Sequence, residues 1–240
     1  MVNKRRIRNY FDKAALTYDG SAVLQREVGQ RVIKRLDFFK INPTIILDIG
    51  SGTGHAKTIL SGKFPGKKLI ELDISYGMLA HSQKIRKKKF WPFSKRVNQI
   101  CGDLDNLPIK EKCIDLIWAN FVLDWVDSIP NVLVSVCNVL RPGGLFVFAT
   151  MGQDTLSELR ASSKEARCDG LVNQFPDMHD LGDSLLGAGF IGPVVDVEMF
   201  SLTYHSLKEL VQDLRNCGSV RKADGYVNAE SWVNIEKNYE

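Results

Sequence analysis

Two kinds of hydrophobic spacing alternate along this chain. From Asn9 to Phe39 apolar residues recur at three- and four-residue steps, as at Val28, Val32, Leu36 and Phe39, which predicts helix. Asn42-Pro43 breaks that pattern, and Thr44 to Ile49 follows as a short β-branched, apolar run suited to a strand buried on both faces. Further strands are expected at Lys68–Ile74, Val97–Cys101, Cys113–Ala119 and Leu145–Thr150. Helices are expected at His55–Gly62, Tyr76–Lys89 and Ile129–Leu140. Arg141-Pro142-Gly143-Gly144 reads as a tight turn, with proline presetting φ and glycine supplying positive φ. Strands alternating with helices predict an α/β fold, a Rossmann-like open, mostly parallel sheet with helices on both faces.

After Thr150 the pattern loosens to a helix at Asp180–Ala188, an extended stretch at Val194–Tyr204 and a helix at Leu207–Cys217. No repeat or linker divides the chain. One domain over 1–240 is expected, with an N-terminal helical segment 1–42 and an inserted, lid-like segment 152–178.

Composition narrows the classes. An apolar fraction of 44% and a charged fraction of 25% exclude a disordered chain. No apolar run approaches the roughly 18–20 residues of a membrane span, so no membrane partner is expected. The basic arm Lys4, Arg5, Arg6 and Arg8 is not followed by the apolar stretch of a secretory signal, and Asp12 argues against an organelle transit peptide. The five cysteines form no CxxC pair, and the four histidines show no ligand spacing, so no metal is expected. Unpaired cysteines of this kind point to a reducing, cytoplasmic compartment.

Charge is uneven. The net charge is +4, but Lys84, Arg86, Lys87, Lys88, Lys89, Lys95 and Arg96 contribute +7 within one stretch, leaving −3 for the rest. Phe90, Trp91 and Phe93 interleave with these cations. Such a run is most often a solvated helix end, but it also suits an acidic partner. It lacks a catalytic nucleic-acid motif beside it, and a nucleic-acid partner is not expected.

The chemistry centres on Leu47-Asp48-Ile49-Gly50-Ser51-Gly52-Thr53-Gly54, which follows the first strand and opens the first sheet helix. Ligands of open parallel sheets sit at the carboxyl ends of strands. The spacing is GxGxG, and the third glycine of a dinucleotide fingerprint would fall at His55. A pyrophosphate is thereby disfavoured against S-adenosylmethionine, which carries no phosphate. Its carboxylate can meet backbone N–H groups at a helix start, and Asp48 can supply part of the field for its cationic groups. A turn used only for tight packing stays open on the glycines alone. Asp73 ends the second strand, where a carboxylate can accept ribose hydroxyls; Asp103 follows the third, within reach of an adenine amine; Asn120 ends the fourth.

With these residues placed, the chain resembles the class I S-adenosylmethionine-dependent methyltransferases, through LDIGSGTG (47–54), ELDIS with GML (71–79), GDLDNLP (102–108), CIDLIWANFVLDW (113–125) and LRPGG (140–144). The resemblance implies that Gly50, Gly52 and Gly54 contact the donor, that Asp73 holds the ribose, that Asp103 and Leu104 frame the adenine, and that Ile74 and Met78 pack on its ring. A narrower resemblance, to the malonyl-acyl-carrier-protein O-methyltransferases of biotin synthesis, rests on 10–32, LDW (123–125), DTLSELR (154–160), 173–190 and 202–218. It implies methylation of the free malonyl carboxylate on a phosphopantetheine arm, with S-adenosylhomocysteine as the second product and no metal. The same segments are similar to a methyltransferase-like assembly factor of respiratory complex I, associated with arginine hydroxylation, which is the alternative. In the family a last strand inserts antiparallel between the fifth and sixth strands; 226–240 is polar and carries no convincing strand, so this C-terminal strand is expected to be missing.

No catalytic residue is named from the sequence, because a carboxylate already ionised near neutral pH needs no general base. Arg160 is a candidate for binding the substrate carboxylate, since guanidinium pairs with it bidentately. Tyr18 could close over the donor and Trp125 wall the acyl pocket, although a surface arginine and two packing aromatics explain these residues as well. In this reading the partner is an acidic acyl carrier protein, steered by Lys84, Arg86, Lys87, Lys88 and Lys89.

Overall fold

The structure, a computed structural model, describes residues 3–90, 98–168, 171–217 and 229–239. Among the described residues five parallel strands form one sheet in the order β3-β2-β1-β4-β5. They are β1 (Ile45–Ile49), β2 (Lys68–Asp73), β3 (Asn98–Cys101), β4 (Ile114–Asn120) and β5 (Leu140–Ala149). The strand order reverses between β1 and β4, which makes the carboxyl ends of those two strands the switch-point crevice.

The pleat explains the two cores. Successive side chains point to opposite faces, so Leu47, Ile49, Leu72, Ile117 and Ala119 share one cluster while Ile46, Leu116 and Trp118 join another. Helix α6 (Ile129–Val139) covers the first face with Val132, Val136 and Val139; the Ser128 hydroxyl caps its start, and Pro130 stands in its first turn. Helix α3 (Val23–Arg35) and helix α4 (His55–Lys63) cover the second with Ile33 and Leu60. Helix α5 (Tyr76–Phe90) connects β2 to β3.

The long N-terminal helical pattern resolves into α1 (Lys4–Ala14), α2 (Tyr18–Ser21) and α3. Helix α1 starts earlier than the apolar spacing suggested, because the Asn3 side chain accepts from the Arg6 N–H at 3.0 Å and caps it. Val97 of the third expected strand lies outside the described residues. The Arg141–Gly144 turn is a bulge within β5: Ile114 faces Leu140, the next pair is Leu116 with Leu145, and Gly143 has φ +78°.

Beyond the sheet, α7 (Ser157–Glu165), α8 (Met178–Gly187), α9 (Leu207–Asn216) and α10 (Ala229–Lys237) follow. Leu159, Leu207, Leu210, Val211 and Ile235 from three of these helices pack into a separate cluster. Val194–Tyr204 is irregular and pairs with no strand among the described residues. It is tied to α3 instead, where Arg31 pairs with Glu198, Arg35 with Asp196 and with Glu198 at 3.5 Å, and the Arg31 guanidinium lies 4.6 Å from the centre of the Phe200 ring. Among the described residues no helix is long and apolar enough to cross a membrane.

Candidate functional site

The glycine turn leaves β1 at Ile49 and enters α4 at His55. Gly50 and Ser51 donate their N–H groups to the Leu72 carbonyl at 2.8 and 3.1 Å, fastening the turn to the end of β2. Gly54 closes it at φ +84°, where a Cβ would stand 2.5 Å from the Ser82 hydroxyl, so both its torsion and its close approach to α5 require glycine. Asp73 receives the N–H of Gly52 on one oxygen and that of Ser75 on the other, each at 2.8 Å. Burial pushes its carboxyl up to about 6, against the pull of those two backbone donors.

Asp48 is only 2% exposed beneath the turn. Burial, with Glu71 and Asp73 nearby, raises its carboxyl well above the ordinary range and disfavours its charged form. It is therefore less suited to supplying a negative field than the sequence suggested. Glu71 is fully buried and pairs with Arg86 at 2.6 Å, and Gln99 donates to its other oxygen at 2.7 Å. Arg86, only 13% exposed, is thus committed to the underside of the turn and is not a surface cation for a partner. That corrects its place in the basic patch. Lys84 is exposed, and the side chains of Lys87, Lys88 and Lys89 lie outside the described residues.

A strap made of α1 and α2 crosses this crevice. Asp12 accepts from the Ser75 hydroxyl at 2.6 Å and from the Gly77 N–H at 2.8 Å. A Cβ on Gly77 would lie 2.9 Å from the Asp12 Cα, so glycine there lets α1 settle onto α5. The Thr53 hydroxyl donates to Asp19. Lys4 donates to Asp103 at 3.1 Å, to the Trp125 carbonyl at 3.2 Å, and pairs with Asp105. Phe11 meets Trp125 edge-to-face, with ring centres 5.2 Å apart. Tyr18 packs with Phe11, Ala14, Ala15 and Met78, and burial raises its hydroxyl so that it stays protonated.

The structure therefore gathers Tyr18, Gly50, Ser51, Gly52, Gly54, Asp73, Ile74, Asp103, Leu104, Asn120 and Trp125 at the carboxyl ends of β1 to β4 and under the strap. Met78 is 1% exposed and packs against the strap. Arg160 stands apart: it donates to the Thr155 carbonyl at 3.1 Å and is not among the described residues lining the large cavity beside the strap. That cavity, about 1960 Å³, is bounded by Phe11, Tyr18, Gln25, Phe121, Trp125 and Thr150 at the end nearest the strap and runs along β5. Sequence reasoning missed Lys4, Asp12, Asp19 and Glu71. Only the helical spacing of Lys4, Ile7, Phe11, Ala15 and Tyr18 hinted that one face of the N-terminal segment is buried.

The residues fit a cationic, phosphate-free ligand. Asp12, Asp19 and Asp73 stand beside the turn with no cation paired to them among the described residues, whereas Glu71 and Asp103 are balanced by Arg86 and Lys4, and this surplus of acid opposes a pyrophosphate. Ser51 Oγ and Asn120 Oδ1, on adjoining strand ends, are buried with no hydrogen-bond partner among the described residues, as polar atoms awaiting a ligand would be. Among the described residues no group of histidine, cysteine and acid side chains is placed to hold a metal.

Comparison with known proteins agrees with this geometry. The family described as "Methyltransferase domain" matches residues 47–148. Solved structures share the fold: a chain of the complex between the Haloferax volcanii Trm112 methyltransferase activator and a methyltransferase superposes with a TM-score of 0.64 at 16% identity, covering 97% of this chain and 93% of that one. YcgJ protein from Bacillus subtilis gives 0.62 at 14% identity, covering 87% and 83%. The fold and site define a methyltransferase of the Rossmann-like class that uses S-adenosylmethionine as donor. A malonyl-[acyl-carrier protein] O-methyltransferase of Methylovorus sp. is 41% identical over 94% of this chain and 76% of its own length. One of Gallionella capsiferriformans is 37% identical over 100% and 84%. This chain belongs to the malonyl-[acyl-carrier protein] O-methyltransferase family. Both relatives are named for methyl transfer, which favours that reading over the assembly-factor alternative.

Proposed function

We propose that the chain methylates the free carboxylate of a malonyl group carried by an acyl carrier protein, the ester-forming step of biotin synthesis. The observation that carries this reading is the shared wall at Phe11, Tyr18 and Trp125. The strap that roofs the donor crevice also bounds a cavity of about 1960 Å³, large enough to admit an acyl arm. The names of the relatives supply the substrate class.

S-adenosylmethionine supplies an electrophilic methyl group on a sulfonium and leaves as S-adenosylhomocysteine. Asp73 holds the ribose hydroxyls, with the Gly52 N–H fixing one of its oxygens. Asp103 and Leu104 frame the adenine, Ile74 follows the neighbouring strand β2, and the acidic surroundings favour the cationic centre. Asn120 is anchored by donating to the Gln25 carbonyl at 2.9 Å, which leaves its own oxygen for the donor or substrate. The protonated Tyr18 hydroxyl orients the attacking carboxylate oxygen, and Trp125 forms the apolar floor. That oxygen bonds to the methyl carbon as the carbon–sulfur bond breaks. No proton moves, because the carboxylate is already ionised near pH 7. Rate enhancement then comes from alignment and exclusion of water beneath the strap.

The test is transfer of labelled methyl from the donor to malonyl-carrier protein, scored as label released as methanol by mild base. Ester formation is expected. Donor binding without label in the carrier protein would refute the substrate assignment.

A further inference from the structure

Helix α3 lies against the end of β4. A Cβ added at Gly29 would already touch the Asn120 amide nitrogen at 3.6 Å and the Trp118 ring at 3.9 Å. One turn earlier, the Gln25 carbonyl accepts from that same amide nitrogen at 2.9 Å. This bond decides which way the Asn120 side chain faces. Turned over, its oxygen would meet the Gln25 carbonyl, acceptor against acceptor. Asn120 Oδ1 is therefore the atom left over, and it is buried with no hydrogen-bond partner among the described residues. The side-chain oxygen of Gln25, Oε1, is buried in the same condition, and so is Ser51 Oγ. Ile49 pairs with Ala119 across β1 and β4, so Ser51 and Asn120 leave the sheet side by side. Three elements thus bring three unsatisfied oxygens to one corner of the crevice.

Buried acceptors are costly unless N–H or O–H groups reach them. Arg26, next to Gln25 in α3, donates to the Asp19 main-chain carbonyl instead. The carboxylates of Asp19 and Asp73 add negative charge beside the turn. A ligand that suits this corner brings several N–H groups and a positive charge. An ammonium has three such groups and no acceptor, whereas a carboxylate or phosphate would set oxygen against oxygen. The position narrows the choice. Gln25 also borders the strap end of the large cavity, with Tyr18, Phe121 and Trp125. An ammonium bound there stands where the donor crevice opens onto the acyl cavity.

We infer that Gln25 Oε1 and Asn120 Oδ1 together hold the α-ammonium of the methyl donor's amino-acid end, which turns the sulfonium methyl toward the acyl cavity. The inference rests on the reading of the crevice as the donor site. It adds Gln25, a residue of the N-terminal helices, to the walls of that site.

The experiment titrates the protein with S-adenosylhomocysteine and with its deamino analogue, in which hydrogen replaces the α-ammonium. Wild-type protein is expected to favour S-adenosylhomocysteine by about a hundredfold, the scale of two charge-assisted hydrogen bonds. Gln25→Met keeps the main-chain bond to Asn120 and is expected to cut that preference to about tenfold, by weakening S-adenosylhomocysteine and not the analogue. Gln25→Glu, which keeps an acceptor, is expected to retain the wild-type preference. No preference in wild type, the same preference in wild type and Gln25→Met, or a Gln25→Glu preference as low as that of Gln25→Met would overturn the inference. Failure of the wild type to bind either ligand would instead refute the donor-site reading.

Discussion

Asp73 shows what a single position contributes. Its place at the end of β2 was legible, because the strand pattern fixed where the carboxylate would emerge. Its titration was not legible, since burial and the neighbouring acids arise only on folding. A folded-state value of about 6 lies above that of an ordinary carboxyl, so the anionic form is lost on acidification earlier than usual. Affinity for S-adenosylhomocysteine, measured by titration across pH, should hold steady above pH 7 and fall by up to about tenfold per unit below about pH 6. Lys4 is the opposite case. Its partner Asp103 lies 99 residues away, and no local spacing announces the contact. Its ammonium engages Asp103 Oδ1, on the carboxylate proposed above to meet the adenine amine. Lys4→Met should therefore tighten S-adenosylhomocysteine binding by about threefold, in keeping with a partly exposed ion pair worth under ~1 kcal/mol. Weaker binding would mean that Lys4 supports the donor.

At the scale of elements, the strands and sheet helices followed from period and β-branching, and the glycine turn fell where the first strand meets its helix. Three features did not follow. The basic run in α5 reads in sequence as one surface, yet Arg86 turns inward to Glu71, because a buried carboxylate needs a partner whatever its neighbours do. The Arg141–Gly144 signal is a turn by composition but folds as a bulge within β5, which only the pairing with β4 defines. Val194–Tyr204 has strand-like content but answers to the ion pairs with α3 and not to the sheet. The Arg86 contact has a measurable cost. Arg86→Met leaves Glu71 buried and unpaired by its cation, and should lower stability to urea by about 3–5 kcal/mol. Adding Glu71→Gln should recover part of that loss.

For the whole molecule, the strap joins the N-terminus to every wall of the crevice. Asp12 reaches the start of α5, Asp19 the glycine turn, Lys4 the loop after β3, and Phe11 the turn after β4. This arrangement was the least legible part of the site, because each contact joins segments distant in sequence. It makes the strap a roof that must part for exchange. Asp12→Ala removes two hydrogen bonds to α5 and should raise the dissociation rate of S-adenosylhomocysteine about tenfold or more, followed by stopped-flow tryptophan fluorescence, since Trp125 lies against the strap.

The central claim is that the crevice between the glycine turn and the strap holds the methyl donor. Calorimetric titration of the protein with S-adenosylhomocysteine near pH 7.5, beside the Asp73→Asn variant, tests it most directly. One site per chain is predicted for the wild type, with binding at least about a hundredfold weaker in the variant, the scale of two charge-assisted hydrogen bonds. No binding by the wild type, or equal binding by both proteins, would contradict it.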